Sequence, residues 1–280
     1  MKKVSVIIPC FNDGLYIDDA VNSALKQTYP NIEVVICDDG SFDKLTLQKL
    51  EEYEKKGITV IYKKNEGPSA ARNVAIKASK GEYILPLDAD DKIDSSYVAK
   101  AVKILDEDPH VGIVYCQAFL FGENKGKWDL PKYSMGKMLV NNVIFVSGLF
   151  RKSDWSTVGG YCLDLKYGIE DYDFWLSILG LGRRVVQLPE FLFYYRIKKE
   201  SRNKKFDQDP KIKLWTCNKI YARHKQLYLD NLDDFYFEIR SELIKQENKI
   251  NSILGIFGIK NKISKVPWLK KLIKSFFKLK

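Results

Sequence analysis

The chain has 280 residues, and a composition of 45% hydrophobic and 29% charged residues with 16 Tyr and 15 Phe excludes wholesale disorder and suits one α/β unit with a tail. Lys and Arg exceed Asp and Glu by a formal +10, which permits attraction to phosphate, nucleotide, anionic lipid or nucleic acid without choosing among them. Five scattered cysteines with no CxxC, and only His110 and His224, argue against a disulfide framework, a zinc cluster or a Ser-His-Asp set; a reducing compartment is expected, and both histidines read as surface residues.

Val4 to Ile8 is a short β-branched run closed by Pro9, read as a strand rather than an export signal. Apolar residues from Ile17 to Leu25 then recur at helical spacing. Ile32 to Cys37 predicts a second strand, the leucines from Leu45 to Leu50 a second helix, Ile58 to Tyr62 a third strand, Ser69 to Ala78 a helix opened by Pro68, and Tyr83 to Leu87 a fourth strand. Such alternation implies right-handed βαβ units on a largely parallel sheet buried on both faces. A helix from Ser95 or Ser96 to about Leu105, broken at Asp108-Pro109, precedes a strand over Val111 to Cys116. Gly122 to Lys137 reads as a mobile loop, and Pro210 opens a long helical stretch. No run approaches the ~18 apolar residues of a membrane span, so none is expected.

In open α/β sheets ligands bind beyond the carboxyl ends of the strands, which draws the reading to Pro9 to Asp13, Asp38 to Ser41, Lys63 to Gly67 and Asp88 to Asp91. The three carboxylates of Asp88-Ala89-Asp90-Asp91 would repel one another without a cation; a sparse acidic loop suits Mg²⁺ or Mn²⁺ completed by water and phosphate, and equally suits a helix cap. Asp39 can accept hydrogen bonds from a base or ribose, Gly40 allows a sharp turn, and Phe11 is either a flat face for a nucleobase or ordinary core. Arg72 falls early in a helix, where a cation opposes the macrodipole, so an anionic ligand or acidic neighbour is expected. Glu170-Asp171, in YGIEDYDFWLSILGLG, are at least first-turn helix acids.

The segments VSVIIPCFNDGLYIDDAVNSALKQTYPNIEVVICDDGS, NEGPSAARNVAIKASKGEYILPLDADD and GIEDYDFWLSI together resemble the family-2 glycosyltransferases of the GT-A fold, in that family's order and spacing from about Val4 to Arg196. The resemblance implies a Rossmann-like α/β domain, mostly parallel, in which Phe11 and Asp39 contact the base with Pro9 beside them. It also implies that Arg72 steadies the base and phosphate end, Asp88 faces the ribose and, with Asp90, the metal, and Asp90 is the principal ligand of the ion bridging the diphosphate. Asp171 becomes the general base that deprotonates the acceptor hydroxyl, Glu170 its orienting or acceptor-binding neighbour, and Asp173 a weaker candidate. Val146-Ser147-Gly148 and RKSDWSTVGGY resemble the acceptor-side strand and turn, with Trp155 either an acceptor platform or core. Where relatives often carry a His, YYRIKKESR offers Lys198 or Lys199, which cannot ligate a metal while protonated but can clamp a diphosphate.

The expected organisation is a glycosyltransferase domain over 1–200, with its nucleotide-sugar half at about 1–100 and its acceptor half at about 101–200, then a helical extension over 201–280. Eight lysines and no acid occur from Lys260 onward, and on a helical wheel Lys270, Lys271, Lys274 and Lys278 fall opposite Trp268, Leu269, Leu272, Ile273, Phe276 and Phe277. That pattern suits an anionic membrane surface, or packing on the domain. The expectation is a metal-dependent inverting transferase of a nucleotide-diphospho-sugar, UDP-linked for preference. Its acceptor would be a lipid-linked or surface glycan, at the cytoplasmic face of a membrane. A sugar nucleotidyltransferase is the alternative; nucleic acid is not an expected partner, because no such motif accompanies the basic tail.

Overall fold

The computed structural model describes residues 1–199 and 209–256. The first half alternates as β1 (Val4–Cys10), α1 (Ile17–Leu25), β2 (Ile32–Asp38), α2 (Lys44–Lys55), β3 (Thr59–Tyr62), α3 (Pro68–Ala78) and β4 (Tyr83–Pro86). These four strands pair in parallel in the order β3-β2-β1-β4. Val4, Val6, Ile7 and Ile8 are wholly buried between helix layers, which explains why this strand is continuously apolar. Because the chain moves outward from β1 to β3 and then returns to β4 on the other side of β1, the strand order reverses there. A crevice opens at the carboxyl ends of these strands.

The second half extends the same sheet with mixed polarity. β5 (Lys92–Ile93), α4 (Tyr97–Glu107), β6 (Val111–Gly122), β7 (Gly126–Lys127), α5 (Met135–Val140), β8 (Leu149–Arg151), α6 (Lys152–Val158), α7 (Glu170–Leu179) and β9 (Arg184–Ile197) follow in turn. Beyond β4 the order runs β8-β6-β9-β5; β8 is antiparallel to both its neighbours, β9 is parallel to β6, and β5 is antiparallel to β9. The sequence reading assigns no strand to Arg184–Ile197, whose Pro189 and interspersed polar residues obscure the alternation. The structure accommodates Pro189 where the β6–β9 register shifts between the Tyr115–Gln187 and Gln117–Phe191 pairs, an irregularity that needs no donor from proline.

Two further expectations change. The stretch 122–137 is not merely a loop: Gly126–Lys127 pairs with β6, Trp128 stacks against Tyr195 and Phe145, and Ser134 caps α5 by accepting from the Lys137 amide. His224 is not a surface residue, since its side chain is only 8% exposed and its Nε2 lies 2.9 Å from Asp173 Oδ1. His110 is exposed as expected, and the five cysteines are free. The described chain ends with α8 (Pro210–Arg223), α9 (Lys225–Asp230) and α10 (Leu232–Ile256), of which α10 packs on α5. No helix among the described residues is long and apolar enough to cross a membrane. The basic stretch 260–280 lies outside the described residues.

Candidate active site

The loops after β1 and β2 are tied together before any ligand is considered. Asn12 adopts φ 56°, donates its amide to Ser41 Oγ at 2.8 Å, and its Oδ1 accepts from the Phe42 and Asp43 amides. Asn tolerates the left-handed region that most residues avoid, so a single side chain can hold both loops. Gly40, at φ 79°, is required for a second reason: a Cβ there would stand 2.9 Å from the Asn65 amide nitrogen. The neighbouring loops are thereby drawn together at the end of the parallel strands.

The resulting cavity of about 440 Å³ is lined by Pro9, Phe11, Asp39, Asp88 and Asp90, the residues expected on the donor side, together with Asp13, Asn65, Gly67, Lys166, Tyr195 and Lys198. Phe11 is 41% exposed and meets only the edge of Phe42, so it is not core. Asp39 is buried, and both its oxygens are engaged by the loop after β3: Oδ1 accepts from Lys63 Nζ at 2.7 Å and the Glu66 amide at 3.0 Å, and Oδ2 from the Gly67 amide at 2.8 Å. Asp39 therefore shapes the wall that presents Asn65 and Gly67. The sequence reading missed Asn65 and Asn12, which carry no charge and belong to no acidic pattern.

Arg72 departs from its expected place. It does not line the cavity beside Phe11; it is 2% exposed, donates through Nη2 to Asp88 Oδ1 at 2.7 Å and through Nη1 to Glu170 Oε1 at 2.8 Å, and lies over the Tyr161 ring. One guanidinium thus bridges the acidic loop after β4 to the first residue of α7. The expected acidic neighbour is present, and it is two carboxylates.

Across that bridge lies a second cavity of about 210 Å³, lined by Trp128, Leu130, Asn142 to Val146, Ile169, Glu170, Asp171, Phe193, Tyr195 and Arg72. Tyr195 belongs to both cavities. Asp171 points into this one and accepts a hydrogen bond from Asn142 Nδ2 at 3.1 Å. Burial, then the neighbouring Glu170 charge, push its carboxyl up to about 6, against the pull of Arg72. Ile169, immediately before the pair, holds φ 54°, a conformation that costs a β-branched residue on the order of 1–3 kcal/mol and is stored where α7 begins.

Asp173 is excluded from this site. Its side chain is 1% exposed and faces the C-terminal helices, accepting from Arg223 Nε at 2.8 Å as well as contacting His224. Although burial opposes ionisation, those hydrogen bonds hold the Asp173 carboxyl below the usual range. Trp155 likewise serves packing: its Nε1 donates to Asn73 Oδ1 at 3.0 Å behind Tyr161, and it lines neither cavity.

Charge in the acidic loop is balanced from β9. Lys198 Nζ lies 2.6 Å from Asp90 Oδ2 and 3.3 Å from Asp13 Oδ1, while Arg196 donates its amide to Asp91 Oδ1 and its Nε to the Asp90 carbonyl, both at 2.8 Å. Asp91 is fully buried, and burial followed by the Asp90 and Asp88 charges raises its carboxyl well above the usual range. Among the described residues no group of three or more His, Cys, Asp or Glu side chains is placed to hold a metal ion. Asp88 and Asp90 nevertheless fit one that takes most of its shell from water and phosphate, since such an ion needs only one or two carboxylates.

Known proteins resemble this chain in sequence and in fold. An uncharacterized glycosyltransferase of Rickettsia typhi is 34% identical over 196 residues, covering 64% of this chain and 59% of its own. The Staphylococcus aureus poly(ribitol-phosphate) β-N-acetylglucosaminyltransferase TarS is 39% identical over 112 residues, 38% of this chain and 19% of its own. The crystal structure of TarS 1–349 in complex with UDP superposes with a TM-score of 0.60 at 26% identity, covering 70% of this chain and 61% of that one. The chain therefore spans about three fifths of the Rickettsia protein and of that TarS fragment. The GT-A architecture expected from the sequence is the one found, and since the glycosyl transferase family 2 model matches residues 5–160, more than half the chain, the protein belongs to that family.

Proposed function

We propose that the chain transfers a sugar from a nucleotide-diphospho-sugar, with UDP as the nucleotide, to a hydroxyl of a lipid-linked or surface glycan, with metal assistance and inversion at the anomeric carbon. The observation that carries this reading is the Arg72 bridge, which holds a nucleotide-sized cavity and an Asp-bearing cavity edge to edge, with Asp88 on one side and Glu170-Asp171 on the other. UDP in TarS supports the donor class.

In this reading Phe11 offers its exposed face to the base, with Pro9 and the wall held by Asp39 around it. Asp88 and Asp90 hold Mn²⁺ or Mg²⁺, which when bound supplies positive charge to the departing diphosphate. Lys198 gives up its contact with Asp90 to pair with a phosphate oxygen, a cation suited to that exchange because an ammonium binds as a point charge. Asp171, oriented by Asn142, takes the acceptor proton as the hydroxyl oxygen attacks; Glu170 stays paired with Arg72 and fixes the start of α7. The lysines between Lys260 and Lys280 bring the enzyme to an anionic membrane surface on the cytoplasmic side.

The test uses two variants. Asp171→Asn is expected to retain donor affinity in calorimetry while transfer falls by about 10² to 10⁴, the range of positioned acid–base catalysis. Asp90→Ala is expected to bind donor with no response to Mn²⁺. Wild-type turnover in the first, an undiminished Mn²⁺ response in the second, or release of pyrophosphate instead of UDP would overturn the assignment.

A further inference from the structure

Beside the mouth of the donor cavity, the loop before α7 and the first turns of α8 enclose a separate open pocket of about 720 Å³. Its floor is aromatic: Trp215 is 46% exposed and meets Tyr167 edge-on, with ring centroids 5.8 Å apart and planes at 82°. Its rim is cationic, with Lys166, Lys211 and Lys219 opposed by the single carboxylate of Asp164 among the described residues. Lys219 is fixed twice, 2.8 Å from Asp164 Oδ2 and 5.2 Å from the Trp215 ring centroid. Lys166 also lines the donor cavity, so the two share a wall.

A large aromatic face kept in solvent and surrounded by ammonium groups is ill suited to an apolar partner, because burying it would strand the lysines without counter-charge. It does suit a ligand with an apolar ring face and peripheral negative charge. A saccharide presents C–H groups to an indole while its phosphate or carboxylate substituents reach the lysines, and a rigid amphipathic Trp with nearby cations forms such a site at little entropic cost. We infer that this pocket is a second saccharide site, which holds a stretch of anionic glycan belonging to the acceptor chain, away from its reacting hydroxyl. The inference rests on the transferase reading only for calling that chain the acceptor.

The experiment measures binding of fluorescently labelled poly(glycerol phosphate), polygalacturonate, dextran and a DNA duplex to the full chain and to its Trp215→Ala and Lys211→Glu variants. Both anionic saccharide polymers are expected to bind more tightly than dextran, and each substitution to weaken them roughly tenfold, as for an interface anchor. Unchanged polymer affinity in both variants overturns the site, as does DNA binding with the same strength and the same loss. UDP binding measured on the same samples decides the donor reading separately; the variants are expected to leave it as in the wild type.

Discussion

Asp171 illustrates how one residue is made useful by its surroundings. An ordinary aspartate in water is a poor base, but here burial and the Glu170 charge lift its carboxyl to about 6, while Arg72 limits the rise and Asn142 fixes its direction. Proton acceptance requires the ionised form, so kcat/KM for the acceptor should fall as pH drops through about 6 and level off above it. A pH profile at saturating donor checks this; a flat profile between pH 5 and pH 8, the physiological span where such a shifted group titrates, would show that the Asp171 carboxyl is not raised in the working enzyme. Arg72 has the complementary role. Replacing it would take from Glu170, only 2% exposed, the guanidinium it pairs with at 2.8 Å, and for that reason it belongs to the frame of the site.

At the level of elements, α7 is held from both ends of its first turn. Glu170 ties it to α3 through Arg72, and Asp173, three residues on, ties it to the end of α8 through Arg223 and His224. Both Asp173→Asn and His224→Ala should lower stability by about 1–3 kcal/mol, the range for disrupting a buried charge-assisted hydrogen bond. Urea titration measures this, with Asp173→Asn expected to weaken donor affinity little because it lines neither cavity; an unchanged unfolding midpoint in both variants would show that the contact does not fasten the C-terminal helices. The same helix marks where sequence reading stops. Its apolar face, the strand-terminal carboxylates and the βαβ alternation are local patterns, so the loops carrying Phe11, Asp39, Asp88 and Asp90 could be picked out from the chain, whereas Asp171 is set apart from other first-turn acids only by the family resemblance. What Asp173 pairs with, where Arg72 points and why Asn12 and Asn65 matter depend on partners 16 to 98 residues away, and no local spacing encodes those. β9 escaped for a related reason: a long strand that is half-exposed and bulged at Pro189 loses the period that identifies strands.

For the whole molecule, the distribution of charge matters more than its sum. The carboxylates of the acidic loop and of the bridge meet Arg72 and Lys198 within the fold, whereas eight of the net ten positive charges fall between Lys260 and Lys280, outside the described residues. A cluster of this kind is a long-range attractor for anionic surfaces: each lysine near such a surface contributes about 1 kcal/mol, screened by salt over a Debye length. Trp268, Leu269, Leu272, Ile273, Phe276 and Phe277 add the apolar component that charge alone lacks. Removing Trp268 to Lys280 should therefore reduce sedimentation with vesicles containing anionic lipid, leave UDP binding unchanged, and affect neutral vesicles less. Raising the salt should weaken pelleting of the full chain most steeply, because it acts on the charge term and spares the apolar one. Equal pelleting of full and shortened chains would assign this segment to packing on the domain instead, and a lowered unfolding midpoint in the shortened chain would then be its signature.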